Sequence, residues 1–207
     1  MKSNRILILF ALVLFLILNV GCSNENPVSA NDSSMLSKYG NGGNGGGGGS
    51  TFDLSQEEID GLIHMRLEEK LARDVYTTFG NLYNYQVFLN IKESEQKHMD
   101  AMLRLLVKYN IEDPVLSDEV GVFPPGPFQV LYDDYITQGS VSLLEALQVG
   151  VDIEELDITD LQYQIDEVVD NPDILRVYSH LLTGSENHLA AFNRCIASLP
   201  ESDNSIY

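Results

Sequence analysis

Five ionisable residues lie where the helices of this chain should bury apolar side chains. Glu69, Glu95, His98, Glu154 and His188 each continue a run of apolar residues at alternating steps of three and four. That spacing keeps side chains on one face of a helix. Buried ionisable groups are rare unless they are paired or bind metal. No Lys or Arg occupies these runs, so a bound cation is the simplest compensation for the carboxylates.

Four long helices are expected to carry these residues. Their predicted ranges are about 55 to 80, 84 to 109, 141 to 169 and 172 to 199. Ser55 followed by Glu58 is a capping box that predicts the start of the first helix, and Asn171 with Pro172 predicts a tight turn before the fourth. A long connection over 110–139 separates the second helix from the third, with a short helix expected around 128 to 136.

The ionisable residues fall at matching heights in two helical hairpins. Glu69 and Glu95 are each 13 residues from the expected turn of the first hairpin, about 20 Å at helical rise. Glu154 and His188 are each 17 residues from the turn at Asn171. Two hairpins joined by a long crossover have the connectivity of ferritin-like bundles, whose metal sites use inward Glu residues and Glu-x-x-His pairs. We therefore predict an all-α, ferritin-like four-helix bundle.

Motifs on all four helices also resemble known sequences. The run Glu69–Tyr76, EKLARDVY, resembles the first-helix motif of rubrerythrins, and Glu95–His98, EQKH, resembles their second-helix ligand pair. Together with 153–158 and 185–189, they resemble an uncharacterised ferritin-like family called domain of unknown function 2202, over most of 55–199. The resemblance implies a site for iron, manganese or zinc, with the five residues named above as its ligands.

The fourth helix departs from the ferritin-like pattern. Such iron sites usually pair a Glu with the histidine of this helix, but the positions three and four before His188 are Ser185 and Gly184. The site is therefore expected to hold either one metal firmly, or two with a water-filled gap in place of the missing carboxylate. Two neighbouring acids are alternative ligands, Glu155 on the third helix and Glu68 on the first.

The N-terminal residues have the pattern of an export signal. Lys2 and Arg5 precede an apolar run over 6–18, which is short for a membrane span, and Cys22 follows Gly21. The pattern resembles a bacterial lipoprotein signal, in which Cys22 becomes the lipidated first residue of the mature protein. An ordinary cleaved signal and an uncleaved anchor are the alternatives.

The chain is expected to divide into four parts. The signal peptide covers 1–21, and a lipidated cysteine with an Asn-, Ser- and Gly-rich flexible tether covers 22–50. The helical domain covers 51–200, long enough for its own core, and 201–207 form a disordered tail. The net charge of −19 argues against nucleic acid as a partner, because phosphate binding needs clustered cations.

Two hypotheses about function follow. The first is an exported protein, lipid-anchored to the periplasmic or cell-surface face of a bacterial envelope, that binds iron, manganese or zinc. With two metals it would be an oxidoreductase acting on oxygen or peroxide, with Tyr76 or Tyr109 as a nearby donor. The second is a non-catalytic ferritin-like module whose buried polar layer only sets helix register, and which acts in protein interaction. The expected partners are metal ions and the membrane, and homo-oligomerisation is left open.

Overall fold

Helices form over all of the segments that the apolar spacing predicts. The computed structural model describes residues 54–200, and in that range it contains α-helices, one π-helical turn and no strand. The α-helices are α1 (Gln56–Tyr83), α2 (Gln86–Lys108), α3 (Pro127–Gly139), α4 (Leu143–Tyr163) and α5 (Pro172–Ser198). The all-α prediction is therefore confirmed. The predicted signal peptide, tether and tail lie outside the described residues.

Local capping determines where the long helices begin and end. The Ser55 hydroxyl accepts the Glu58 backbone N–H at 3.1 Å, and the Glu58 carboxylate accepts the Ser55 N–H at 2.9 Å. This is the capping box expected from the sequence. Asn84 adopts a left-handed conformation with φ of 47° and ends α1. The Asn171 side chain accepts backbone N–H groups of the first turn of α5.

The predicted third helix is divided in the structure. Instead of one helix over 141–169, α4 begins at Leu143 and a π-helical turn, Gln164–Val168, follows it. The Gln164 side chain approaches α1 closely, since a Cβ added at Gly61 would lie 2.3 Å from its Oε1 atom. A π turn adds a residue to the helical repeat and rotates the residues that follow. The apolar spacing alone does not reveal this change.

The ionisable residues form a layer between two apolar clusters. Helix α1 packs along α2 and α4 packs along α5, while α1–α4 and α2–α5 contacts join the two pairs. On each long helix, the buried ionisable positions separate residues of one cluster from residues of the other. The first cluster surrounds Phe79, Phe88 and Phe192, and the second surrounds Leu62 and Tyr178. Over 54–200, no helix has the length and apolarity needed to cross a membrane.

Buried cations of α1 hold the connection between α2 and α3. The Arg66 guanidinium donates to both oxygens of Asp113, at 3.1 and 3.0 Å. About two turns further along α1, Arg73 pairs with Asp118 at 2.6 Å. Paired hydrogen bonds between a guanidinium and a carboxylate fix the geometry of both groups. The long connection is thereby attached to α1 at two points.

Lys70 makes the third attachment, and it is the most deeply buried of these cations. Its ammonium pairs with Asp74, donates to the Glu119 carbonyl oxygen at 3.0 Å and lies 4.6 Å from the centroid of the Phe123 ring. The Asp74 carboxylate also accepts the Gly121 N–H at 2.9 Å. A buried ion pair needs such additional bonds to offset its loss of hydration.

Candidate metal centre

Helices α1 and α2 bring three of the predicted ligands together. The Nδ1 atom of His98 lies 3.2 Å from Oε2 of Glu69 and 2.8 Å from Oε2 of Glu95. All three side chains are buried, and their ligand atoms lie within 4.8 Å of one another. We call Glu69, Glu95 and His98 the first triad. Glu95 and His98 are three residues apart, so they share one face of α2.

Two further predicted ligands, Glu154 and His188, meet at the other oxygen of Glu95. The Nδ1 atom of His188 lies 2.7 Å from Oε1 of Glu95 and 3.5 Å from Oε2 of Glu154. Glu95, Glu154 and His188 form the second triad, again within 4.8 Å. The two oxygens of Glu95 therefore face different histidines, whose rings stack with centroids 5.6 Å apart. A carboxylate placed this way can bridge two metal ions.

Unsatisfied polar atoms test whether these residues suit a metal. Oε1 of Glu69, Oε1 of Glu95 and Nδ1 of His188 are buried and take part in no hydrogen bond within the described residues. The last two atoms are 2.7 Å apart and form an ion pair when His188 is protonated. Buried polar atoms almost always find a partner. Carboxylate oxygens and imidazole nitrogens that converge in this way are suitable ligands for iron, manganese or zinc.

Burial and mutual charge shift the pKa values of these groups in opposite directions. Burial raises the pKa of Glu69 to about 7, against the opposing charge of His98. Burial lowers the pKa of His188, but Glu95 and Glu154 outweigh it and raise the pKa to about 10. Burial raises the pKa of Glu95, but the two histidine charges reverse this and hold it well below its ordinary value. Without metal, the histidines therefore carry protons that balance the carboxylates.

Tyr76 fixes the orientation of Glu154. Its buried hydroxyl donates to Oε1 of Glu154 at 2.7 Å, which leaves Oε2 facing His188. Such contacts around the ligands hold a metal site in place. Tyr109, the other tyrosine considered from the sequence, donates to Oδ1 of Asn171 at 3.1 Å, at the start of α5. Of these two tyrosines, Tyr76 is the one whose hydroxyl bonds to a residue of the triads.

Comparison with known proteins places the chain in a family. A model described as "Uncharacterized protein domain (DUF2202)" matches residues 58–204. The chain belongs to the DUF2202 family. It is 52% identical over 143 residues to the uncharacterized protein MJ0754 of Methanocaldococcus jannaschii, covering 69% of this chain and 77% of that protein. The crystal structure of the hypothetical protein MJ0754 matches with a TM-score of 0.70 and 48% identity, over 78% of this chain and 89% of the other.

Other acids of this DUF2202 chain lie around the triads. Glu155, an alternative ligand in the sequence analysis, is exposed and belongs to neither triad. Glu68 is buried beside Glu69 but groups with other residues. Asp157, which the sequence reasoning did not select, is buried and accepts a hydrogen bond from the Ser185 hydroxyl. Asp157 lies three residues after Glu154, on an adjoining part of the same helix face. That spacing could have predicted that Asp157 is buried near Glu154.

The position four residues before His188 has little room for a side chain in this family member. A Cβ added at Gly184 would lie 2.7 Å from both Cε1 and Nε2 of the His98 ring. The imidazole therefore occupies the space that a side chain at position 184 would need. The close approach of the ring to the helix backbone requires glycine at this position.

Substitution of Gly184 with alanine is expected to weaken metal binding. The added methyl group would lie 2.7 Å from two atoms of the His98 ring, so the ring must shift from its position in the first triad. Overpacking of this kind costs about 1–3 kcal/mol. We expect at least a tenfold loss of Mn²⁺ affinity, with the protein still folded, measured by titration calorimetry. Thr183→Ala, at the exposed preceding position, is the matched control. Equal affinity for the two variants would contradict the steric role of Gly184.

Proposed function

We propose that this protein is an exported metal-binding protein of the ferritin-like type, with one or two ions of iron or manganese in its buried cluster. The observation that carries this proposal is the shared carboxylate of Glu95, whose two oxygens face His98 and His188 from opposite sides. Two hairpin-like helix pairs joined by a long connection, with inward Glu and His residues at one level, support the ferritin-like arrangement.

The surroundings of the cluster favour redox chemistry. Iron or manganese held by these carboxylates and imidazoles would supply a redox-active centre for the reduction of oxygen or peroxide, with the electrons coming from an external donor. The residues that would hold the metal are Glu69, Glu95 and His98 in the first triad, and Glu95, Glu154 and His188 in the second. Apolar clusters on both sides limit the access of water, and the Tyr76 hydroxyl holds Glu154 in its orientation. Oxygen or peroxide reduction is therefore the activity that we propose for the cluster.

The proposed location depends on the N-terminal sequence, which lies outside the described residues. Lys2, Arg5 and the apolar run before Cys22 favour export and lipid attachment to a bacterial envelope. Expression in a bacterial host with a palmitate analogue tests this directly. The label should enter the wild-type chain and not the Cys22→Ala variant, and equal labelling of both would contradict lipid attachment.

Metal content tests the proposed function. The full chain, purified without added metal, should contain iron or manganese in near-stoichiometric amount by elemental analysis. After removal of that metal with a chelator, it should take up either ion again. A chain that retains and takes up no iron, manganese or zinc would rule out the metal site, and would favour a buried layer that only sets helix register.

Metal binding is expected to release protons and to strengthen as pH rises. The pKa of His188 is raised to about 10 in the metal-free cluster, so at neutral pH its imidazole carries a proton that a metal must displace. For each proton that the metal displaces, the affinity for metal increases by about tenfold per pH unit as pH rises towards that pKa. Calorimetry of Mn²⁺ binding between about pH 6 and 9, in buffers of different ionisation enthalpy, measures both effects. Binding that is independent of pH would contradict the protonated layer.

The stability of the metal-free chain should change with pH in the opposite direction, falling as pH rises. A folded-state pKa raised from 6.5 to about 10 stabilises the fold below pH 6.5, and this contribution is lost as pH rises towards 10. The difference in melting temperature between metal-loaded and metal-free protein should therefore widen with pH.

A further inference from the structure

A third group of metal-ligating side chains lies at the surface between α1 and α4. The Nε2 atom of His64 is 3.0 Å from Oδ2 of Asp160 and 3.6 Å from Oε2 of Glu68. The ligand atoms of these three residues lie within 4.8 Å of one another. His64 and Asp160 are 46% and 34% exposed, whereas Glu68 is only 2% exposed. We call this group the rim cluster, because it connects solvent with the interior.

Glu68 is the member of the rim cluster that an ordinary hydrogen bond does not explain. The contact between His64 and Asp160 satisfies those two residues, but neither oxygen of Glu68 takes part in a hydrogen bond within the described residues. A buried carboxylate without a partner is strongly unfavourable. The centroid of the His64 ring lies 5.3 Å from that of the Phe128 ring, and this packing restrains the imidazole. A cation between these groups would satisfy the carboxylate.

A row of carboxylates connects the rim cluster with the buried triads. Glu154, Asp157 and Asp160 follow one another at steps of three residues along α4, each a rise of about 4.5 Å. Glu154 and Asp157 are buried, and Asp160 reaches the surface. Oδ1 of Asp157 is also without a hydrogen bond. On α1, Glu68 is adjacent to Glu69, so the acids of α1 lead from the surface to the first triad and those of α4 lead to the second.

We propose that His64, Glu68 and Asp160 form a divalent-cation site that captures ions from solvent and loads the buried triads. One imidazole and two carboxylates suit Mn²⁺, Fe²⁺ or Zn²⁺. Ions then pass inward along Glu68 and Asp157, whose unpaired oxygens offer ligands on the way. The loading role rests on the proposed function of the triads, whereas cation binding at the rim cluster does not.

Equilibrium binding of Mn²⁺ tests the rim cluster separately from the triads. Free Mn²⁺ is measured by electron paramagnetic resonance with the full chain as wild type, His64→Ala, Glu95→Ala and His180→Ala, an exposed-histidine control. We expect His64→Ala to weaken one class of sites at least tenfold, and Glu95→Ala to retain that class while losing the buried one. Identical binding by His64→Ala and His180→Ala overturns the rim site, whatever the result for Glu95→Ala.

The rate of metal uptake tests the loading role. Mn²⁺ should enter the buried triads at least fivefold more slowly in His64→Ala and Asp160→Asn than in wild type, with the same final occupancy. Glu57→Gln removes an exposed carboxylate from α1, the helix that carries His64, and should leave the rate unchanged. Uptake at the wild-type rate by His64→Ala overturns the loading role. Circular dichroism melting of each variant verifies that the fold is retained.

Discussion

Glu95→Ala is expected to abolish tight metal binding by the buried cluster. Glu95 contributes an oxygen to each triad, at 2.8 Å from His98 and 2.7 Å from His188, so its removal disrupts both at once. Metal that binds only the folded state stabilises it by about 4 kcal/mol at a thousandfold excess over the dissociation constant. For a chain of this size that corresponds to roughly 8–16 °C in melting temperature. Melting curves with and without chelator measure the loss.

The control for this prediction is Glu93→Ala, which removes an exposed acid of the same helix. It should retain the metal content and the chelator effect of wild type. A purely structural layer would behave differently, because Glu95→Ala would then destabilise metal-free protein and chelator would not change the melting of wild type. That result would contradict the metal-binding account.

Lys70→Met is expected to destabilise the fold by about 3 kcal/mol or more, because it leaves the buried carboxylate of Asp74 without its ammonium partner. Both side chains are fully buried, at 0% exposure. Methionine preserves much of the buried volume, so the loss reports mainly on the charge. The bond to the Glu119 carbonyl oxygen is lost as well, which loosens the connection between α2 and α3.

Urea unfolding measured on metal-free protein isolates this effect from metal binding. Lys97→Ala, at an exposed position of α2, should change the free energy of unfolding by less than about 0.5 kcal/mol. Arg73 still pairs with Asp74 at 2.7 Å, so the variant should remain folded. A loss below about 1 kcal/mol for Lys70→Met would mean that this remaining pair and the Gly121 N–H compensate fully for the missing ammonium.

The helices and the five triad residues could be predicted because both depend on local spacing. A polar residue that interrupts an apolar helical face must point where the apolar residues point, so Glu69 and His188 were identifiable without any structure. Glu69 and Glu95 are equally far from the turn of their hairpin, so they were predicted to lie at the same height along the two helices. In the structure they belong to one triad.

Features that depend on how helices rotate and pack could not be read from spacing. Lys70 lies off the apolar face of α1, and it is buried only because the connection between α2 and α3 covers it. The contact of Gly184 with His98 depends on the distance between α5 and α2. Asp157 is buried by the approach of Ser185 from α5. Each of these features depends on how two parts of the fold are placed relative to each other. The spacing of apolar residues along the sequence does not determine that placement.

Anomalous diffraction from crystals grown with Mn²⁺ locates the metal directly. We expect a manganese peak within coordination distance of an oxygen of Glu95 and Nδ1 of His98 or His188. With both triads filled, two peaks should lie about 3.5–4 Å apart, on either side of the Glu95 carboxylate. A well-ordered cluster with no anomalous peak at Glu95, in crystals saturated with Mn²⁺, would contradict the account.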